Sequence, residues 1–313
     1  MEKILALDIG GTKIAVGRFS KDGTLERKIV FSTQPERGYK KILEEIVSSL
    51  KMLEEEKVIA IGVGCAGPLD SKEGIIYSPP NLPGWDAVPL KKDLENALNL
   101  PVFLDNDANA AGLGEYYFGA GKGVRNMVYI TVSTGIGGGI IIDGKILHGQ
   151  RDSAGEVGHQ TILPDGPLCN CGNRGCLEAL ASGTAIAKRA ESAILAGEDT
   201  ILKELSKREK ISAKLVREAY LKGDKVAERI WFSSLEYLGI GVANIITILS
   251  PERVVLGGGI TNAGEEVLEV VKRVVRDRVK LVPVEKVEIV KSKLGEDIGL
   301  YGALAVALDN IGK

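Results

Sequence analysis

Apolar positions in the first third of the chain fall into short runs that alternate with helical spacings. Ile4 to Ile9 is an apolar run ending at Gly10-Gly11, and Lys13 to Phe19 continues as a second strand. Asp22-Gly23 marks a hairpin turn into a third strand, Leu25 to Phe31. From Tyr39 to Lys57 the apolar residues are Ile42, Leu43, Ile46, Val47, Leu50 and Leu53, a spacing that predicts an amphipathic helix. Val58 to Val63 reads as a buried strand, and the proline-rich loop Ser78 to Trp85 breaks any regular structure. Leu90 to Asn99 then predicts a helix, Val102 to Leu104 a short strand, and Ala108 to Phe118 a helix.

A second unit starts near Met127. Met127 to Thr134 predicts a strand, Gly135 to Gly139 a glycine turn, and Ile140 to Asp143 a strand entering the Asp143-Gly144 turn. Ala181 to Ser250 reads as mostly helical. Arg253 to Leu256 is a strand running into Gly257-Gly258-Gly259, followed by a helix to about Val282, a strand at Val287 to Val290, and a last helix from Ile298 to Ile311. Strands alternating with helices predict an α/β protein, with the boundary between halves near Gly119 to Arg125. Each half opens on a strand, glycine turn, strand unit: Leu7 to Lys13 in one, Thr131 to Gly138 in the other.

Length supports two domains, since 313 residues is about twice the usual ~150 per domain. The 44% hydrophobic and 26% charged content is that of a soluble globular chain. With 40 basic against 42 acidic residues, the formal net charge of −2 excludes a strongly basic nucleic-acid footprint. No run approaches the ~18 uninterrupted apolar residues of a membrane span; Val242 to Leu249 reads as part of a buried helix. The N-terminal run stops at Asp8 and has no cleavage motif, so it is not a signal peptide, and the expected setting is a reducing cytoplasm.

Glycine is the outlier, with 39 residues in the chain, well above the usual ~7%. Its clustering suggests phosphate binding, because converging backbone N–H donors need side chains out of the way. Asp8-Ile9-Gly10-Gly11-Thr12 adds a carboxylate able to hold Mg²⁺, directly or through water, and a threonine donor. Ser133-Thr134-Gly135-Ile136-Gly137-Gly138-Gly139 repeats the pattern without the carboxylate. Either turn alone would be an ordinary hairpin; two, at the ends of apolar strands in opposite halves, favour a clamp on a triphosphate. Neither is a P-loop or a dinucleotide fingerprint. Gly257-Gly258-Gly259 would suit packing against an adenosine.

Three of the four cysteines and one of the two histidines lie within one short stretch. His159, Cys169, Cys171 and Cys176 form a full tetrahedral set for structural Zn²⁺, with no position left for a catalytic water. Disulfides would leave one cysteine over. Cys65, alone in an apolar strand, reads as a buried hydrophobe, and His148, beside a turn, as a surface histidine.

These motifs make the chain resemble the ROK family (repressors, uncharacterised frames, sugar kinases), and within it the bacterial glucokinases. The resemblance runs from Asp8-Ile9-Gly10-Gly11-Thr12-Lys13 to Gly299-Leu300-Tyr301-Gly302-Ala303. It rests most on Gly155-Glu156-Val157-Gly158-His159, on Cys169-x-Cys171-Gly172-x-x-Gly175-Cys176-x-Glu178, and on Leu104-Asp105-Asn106-Asp107-Ala108-Asn109-Ala110.

It implies an actin-like, hexokinase-like (ribonuclease H-like) fold of two α/β lobes with a cleft between them. The first lobe would span 1–118 plus about 296–313, and the second, carrying the zinc loop, 119–295. It further implies ATP-dependent phosphorylation of glucose to glucose 6-phosphate, with Asp107 as general base. Asn81, Asn106, Asp107, Glu156, His159, Glu178 and the backbone near Gly67 would hold the sugar. Asp8, Gly10, Gly11, Thr12, Lys13, Thr134, Gly135, Gly257, Gly258 and Gly259 would hold Mg-ATP. Fructose, mannose, N-acetylglucosamine or N-acetylmannosamine remain alternative acceptors, and polyphosphate an alternative donor. A repressor of the family would carry a helix-turn-helix before Asp8, and an idle sugar sensor a damaged Asp8, Thr12 or Asp107. A homodimer or homotetramer is the expected assembly.

Overall fold

In the computed structural model, which describes residues 2–311, the chain divides into two units. One comprises the residues up to Arg125, Gly139–Gly155 and everything from Ser292 onward; the other comprises Asn126–Gly138 and Glu156–Lys291. The first division thus falls at Arg125, a few residues after the expected 118. The unforeseen feature is the return of Gly139–Gly155 to the first unit.

The chain opens with strands β1 (Lys3–Ile9), β2 (Lys13–Ser20) and β3 (Leu25–Ser32), helix α1 (Tyr39–Leu53), and β4 (Val58–Cys65). The short strands β5 (Leu69–Asp70) and β6 (Ile75–Ile76) pair as a hairpin, followed by α2 (Leu90–Leu98), β7 (Val102–Asn106) and α3 (Asp107–Phe118). The sheet order is β3-β2-β1-β4-β7. The β1–β2 and β2–β3 pairs are antiparallel, while β4 is parallel to both β1 and β7. Both faces of this sheet are covered, so β1 is apolar almost throughout. Its odd-numbered residues Leu5, Leu7 and Ile9 join Ile42, Ile46, Leu50, Leu90 and Leu94 in one core. Ile4 and Ala6 face the other way into a second core with Leu300, Ala303, Leu304 and Ala307. Asp8 continues that second row.

Next come β8 (Met127–Val132), β9 (Ile136–Ile142), β10 (Lys145–Ile146), α4 (Leu177–Ala181), α5 (Gly183–Leu195), α6 (Leu202–Leu205), α7 (Ala213–Leu221) and α8 (Lys225–Leu249). The chain closes with β11 (Arg253–Gly257), α9 (Glu266–Arg278), β12 (Glu288–Lys291) and α10 (Ile298–Asn310). The second sheet has the order β10-β9-β8-β11-β12. It is a meander followed by two parallel strands, as in the first sheet, so the repeat visible at the head of each half extends to the whole sheet.

Two expectations are corrected. The glycine turn expected over Gly135–Gly139 closes at Gly135, because β9 begins at Ile136 and takes Gly137–Gly139 into the strand. The helix expected directly after Gly259 starts only at Glu266, after a turn through Ile260–Glu265. By length and composition α8 could cross a membrane. It nevertheless buries Ile230, Trp231, Leu235, Leu238, Val242 and Ile246 inside its unit, which accounts for its apolar character.

Candidate functional site

Three strand ends meet at one end of the first sheet. The parallel register sets Asp8 beside Gly64 and Gly64 beside Asp105; one residue on, Ile9, Cys65 and Asn106 align. Ligands of open α/β sheets bind outside such carboxyl ends. Asp107 is the first residue of α3, and Asn106 caps the helix, accepting a hydrogen bond from the Ala108 N–H at 2.9 Å. Asn106 therefore fills the capping role that could otherwise have explained Asp107.

The two carboxylates feel each other. Burial, and then the negative charge of Asp107, push the Asp8 carboxyl up to about 6, against the opposing charge of Lys13. Burial, helped by the same two carboxylates, also pushes up the Cys65 thiol, and Cys65 is the buried hydrophobe expected. After Asp8 the chain turns tightly, with the Gly10 N–H donating to the Lys13 carbonyl at 3.1 Å and the exposed Thr12 and Lys13 at the turn's tip. Gly11 is required because a Cβ there would lie 2.7 Å from the Asn81 Cβ. Gly67 lies against Asn106, whose Nδ2 would be 3.1 Å from an added Cβ. The first unit thus gathers Asp8, Gly10, Gly11, Thr12, Lys13, Gly67, Asn81, Asn106 and Asp107 at and beside the ends of β1, β4 and β7.

The remaining expected residues belong to the second unit. Thr134 and Gly135 form the turn between β8 and β9, and Glu178 Oε2 accepts the Ile136 N–H at 2.9 Å, so Glu178 is held against that turn. Thr134 also borders a cavity of about 910 Å³ walled by Gly183, Lys188, Arg217, Gly259 and Ile260. Of the three consecutive glycines, Gly259 faces this cavity. Gly258, with φ +89°, would set a Cβ against the Val132 backbone, so the approach of β11 to β8 accounts for it.

His159, Cys169, Cys171 and Cys176 come together, their ligand atoms all within 4.8 Å of one another, and could hold a metal ion. His159 Nδ1 faces Cys169 Sγ at 3.6 Å, while its Nε2 lies 3.8 Å from Glu156 Oε2. The imidazole thus joins the cysteine cluster on one side and a carboxylate on the other. The loop closes through a bridge between Leu168 and Arg174 and another between Thr161 and Cys176.

The sequence pattern assigns Asp105 no role of its own and marks His148 only as a surface histidine. Asp105 is buried, and His148 is half-buried with Nε2 2.8 Å from Asp105 Oδ2, not the free surface histidine expected. Asp105 stood in a conspicuous polar tract; His148 gave no signal, because its partner is 43 positions away.

Known proteins resemble this chain over nearly its whole length. The model of the ROK family matches residues 4–310. A glucokinase from Thermotoga maritima is 38% identical over 312 residues, covering 99% of this chain and 98% of that protein. Among solved structures, a ROK hexokinase from Thermus thermophilus is 38% identical with a TM-score of 0.86, covering 99% of both chains. A ROK glucokinase from Streptomyces griseus, solved with glucose and AMPPNP, is 34% identical with a TM-score of 0.81, covering 98% of this chain and all of that one. The fold is therefore the hexokinase-like fold of those kinases. The chain belongs to the ROK family, as one of its sugar kinases.

Proposed function

We propose that the protein transfers the γ-phosphoryl group of ATP to the 6-hydroxyl of glucose, with Asp107 as general base. The observation that carries this reading is the grouping of Asp8, Asn106 and Asp107 at the ends of adjacent parallel strands, with Asn106 as the cap of α3 and Asp107 as its first residue. A sugar hydroxyl is barely acidic, so a carboxylate that takes its proton as the bond to phosphorus forms lowers the barrier. Asp8 is a hard oxygen ligand suited to the Mg²⁺ that accompanies ATP, directly or through water. Gly10, Gly11, Thr12 and Lys13, with Thr134 and Gly135, are proposed as phosphate contacts. The 910 Å³ cavity bordered by Gly259 has the size of a nucleoside pocket. Gly257 and Gly258 serve it by bringing β11 close to β8.

Asn81, Gly67 and Asn106 in the first unit, and Glu156, His159 and Glu178 in the second, are proposed as hydroxyl partners. The three cysteines and His159 offer the N and S donors of a closed structural zinc site. A bound zinc would pin the imidazole through Nδ1 and leave Nε2 for the sugar. The glucose-bound structure of the Streptomyces griseus relative and the glucokinase of Thermotoga maritima favour glucose over other hexoses.

The test is Asp107→Asn in a coupled ADP-release assay across a panel of hexoses and amino sugars. Turnover should fall by roughly 10²–10⁴-fold, with glucose affinity by calorimetry within about twofold. Near-normal turnover would overturn the base assignment, and a better kcat/KM for another sugar would overturn glucose.

A further inference from the structure

Asp105, the residue before the Asn106-Asp107 pair, has both oxygens engaged. Oδ1 accepts from the Asn106 N–H at 2.7 Å and from Asn109 Nδ2 at 3.0 Å. Oδ2 lies 2.8 Å from His148 Nε2. One buried carboxylate thus ties down the backbone just before Asp107 and a side chain two residues after it. Such a carboxylate is costly to bury unless an opposite charge and a full set of donors accompany it. His148 supplies the charge when its imidazole is protonated. It faces Asp105 on β7, Asp152 on the segment that follows it, and Asp309 on α10; these carboxylates hold the imidazole protonated above its ordinary range, the hydrogen bond to Asp105 foremost and burial opposing.

The segment bearing His148 is itself fixed. The Leu147 N–H donates to the Ile140 carbonyl at 2.8 Å, and the His148 carbonyl accepts from the Ala154 N–H at 2.9 Å. Asp152 then accepts from both the N–H and the hydroxyl of Ser71, at 2.8 and 2.9 Å. Arg151 and Asp152 adopt left-handed backbone, φ 53° and 54°, a conformation that non-glycine residues hold only when surrounding contacts demand it. Gly139–Gly155, part of the first unit, thus carries a histidine to the end of β7.

We propose that His148 and Asp105 are a positioning pair for phosphoryl transfer, Asp105 orienting the Asn106-Asp107 peptide and the first turn of α3, and His148 neutralising and anchoring Asp105. The proposal rests on Asp107 being the base. Neither residue needs to touch the substrate. A catalytic group displaced by about 1 Å can lose on the order of 10²-fold in rate, and an unneutralised Asp105 would leave an extra negative charge at the end of β7, just before Asp107 opens α3.

The experiment compares His148→Ala, His148→Gln and Asp107→Asn in the full-length enzyme, with kcat and KM measured from pH 5 to 9 alongside melting temperatures. Glutamine keeps an N–H for Asp105 but not the charge. His148→Gln should move the acid limb of kcat/KM for glucose up by about half to one pH unit, with kcat at pH 8 within about threefold of wild type. His148→Ala should lose about tenfold or more in kcat at pH 8, with glucose KM within about threefold. Unchanged acid limb and kcat in both variants would overturn the pair, as would losses confined to melting temperature. If Asp107→Asn stays active, the base assignment fails instead. Inactive Asp107→Asn beside wild-type His148 variants sinks the pair alone.

Discussion

Gly299, the second residue of α10, has ordinary helical backbone, yet a Cβ on it would overlap the Asp8 carboxylate. Glycine is needed there for proximity, not for conformation. The row that begins with Ile4 and Ala6 arrives at Asp8 facing α10, and only a hydrogen side chain leaves the carboxylate its place. Gly299→Ala should therefore displace Asp8, lowering kcat/KM for Mg-ATP by tenfold or more while costing about 1–3 kcal/mol of stability through overpacking. Steady-state kinetics with ATP varied at saturating glucose would check this, and a soluble variant with wild-type nucleotide kinetics would defeat it. At this scale the sequence was legible where chemistry is local. Asp8 with its two glycines, the Asn106-Asp107 pair and the cysteine cluster announce themselves by residue type and spacing. Gly299 and His148 do not, because their partners arrive from distant parts of the chain.

Elements carry two further predictions. At the antiparallel edge of the first sheet, Glu26 on β3 accepts from Lys3 at 2.8 Å, from Ser20 at 2.8 Å and from Arg18 at 2.9 Å. These donors, Lys3 first, bring its carboxyl down to about 2. A depressed carboxyl contributes stability that is present above the usual ~4.3 and is lost as the pH falls through the native value. Because the group is partly solvated, the expected contribution is only about 1 kcal/mol. Glu26→Gln should melt a few degrees below wild type at pH 7, and the gap should close as the pH falls from about 4 toward 2; a gap independent of pH would refute the assignment. The second prediction concerns the Pro167–Cys176 loop, which has little regular structure beyond its two isolated bridges. If the cluster holds zinc as proposed, stripping it should loosen His159 and the approach to Glu178, weakening glucose binding by tenfold or more while nucleotide binding stays within about threefold. Calorimetry on metal-free protein that retains its native circular dichroism would check it, and equal glucose affinity with and without metal would defeat it. Most strand and helix positions were readable from hydrophobic period to within a few residues, the start of α9 and the short β5–β6 hairpin excepted. The misreading of Gly137–Gly139 has a physical cause: without side chains they resemble a turn, yet Gly139 is bare because a Cβ would sit 2.8 Å from the Ala108 carbonyl oxygen.

On the scale of the whole molecule, the first unit is assembled from three separated stretches of chain, an arrangement that hydrophobic periodicity could not show. Its sheet is sandwiched, with α1 and α2 contributing to one core and α10 to the other. Gly62 on β4 has no room for a Cβ because the Ala303 carbonyl of α10 comes directly against it. A chain ending at residue 291 keeps every strand of the first sheet but leaves the row of Ile4, Ala6 and Phe19 uncovered. Losing the burial of Leu300 and Leu304 alone costs about 1.5–3 kcal/mol each, and uncovering their partners adds to it, against a typical domain stability of 5–15 kcal/mol. The first unit should therefore fail to fold in the 1–291 chain, while the second unit, which keeps all its segments, stays folded. The two tryptophans report separately, because Trp85 is buried in the first unit's core and Trp231 in the second unit. In the shortened chain the emission of Trp85, isolated by Trp231→Phe, should shift to the red, and trypsin should cut first within 1–125. The emission of Trp231, isolated by Trp85→Phe, should stay blue. A peptide of residues 292–313 added in trans should reverse the Trp85 shift. A 1–291 chain that melts in one transition at the full-length temperature would show that α10 is dispensable and that the three-segment unit is wrongly drawn.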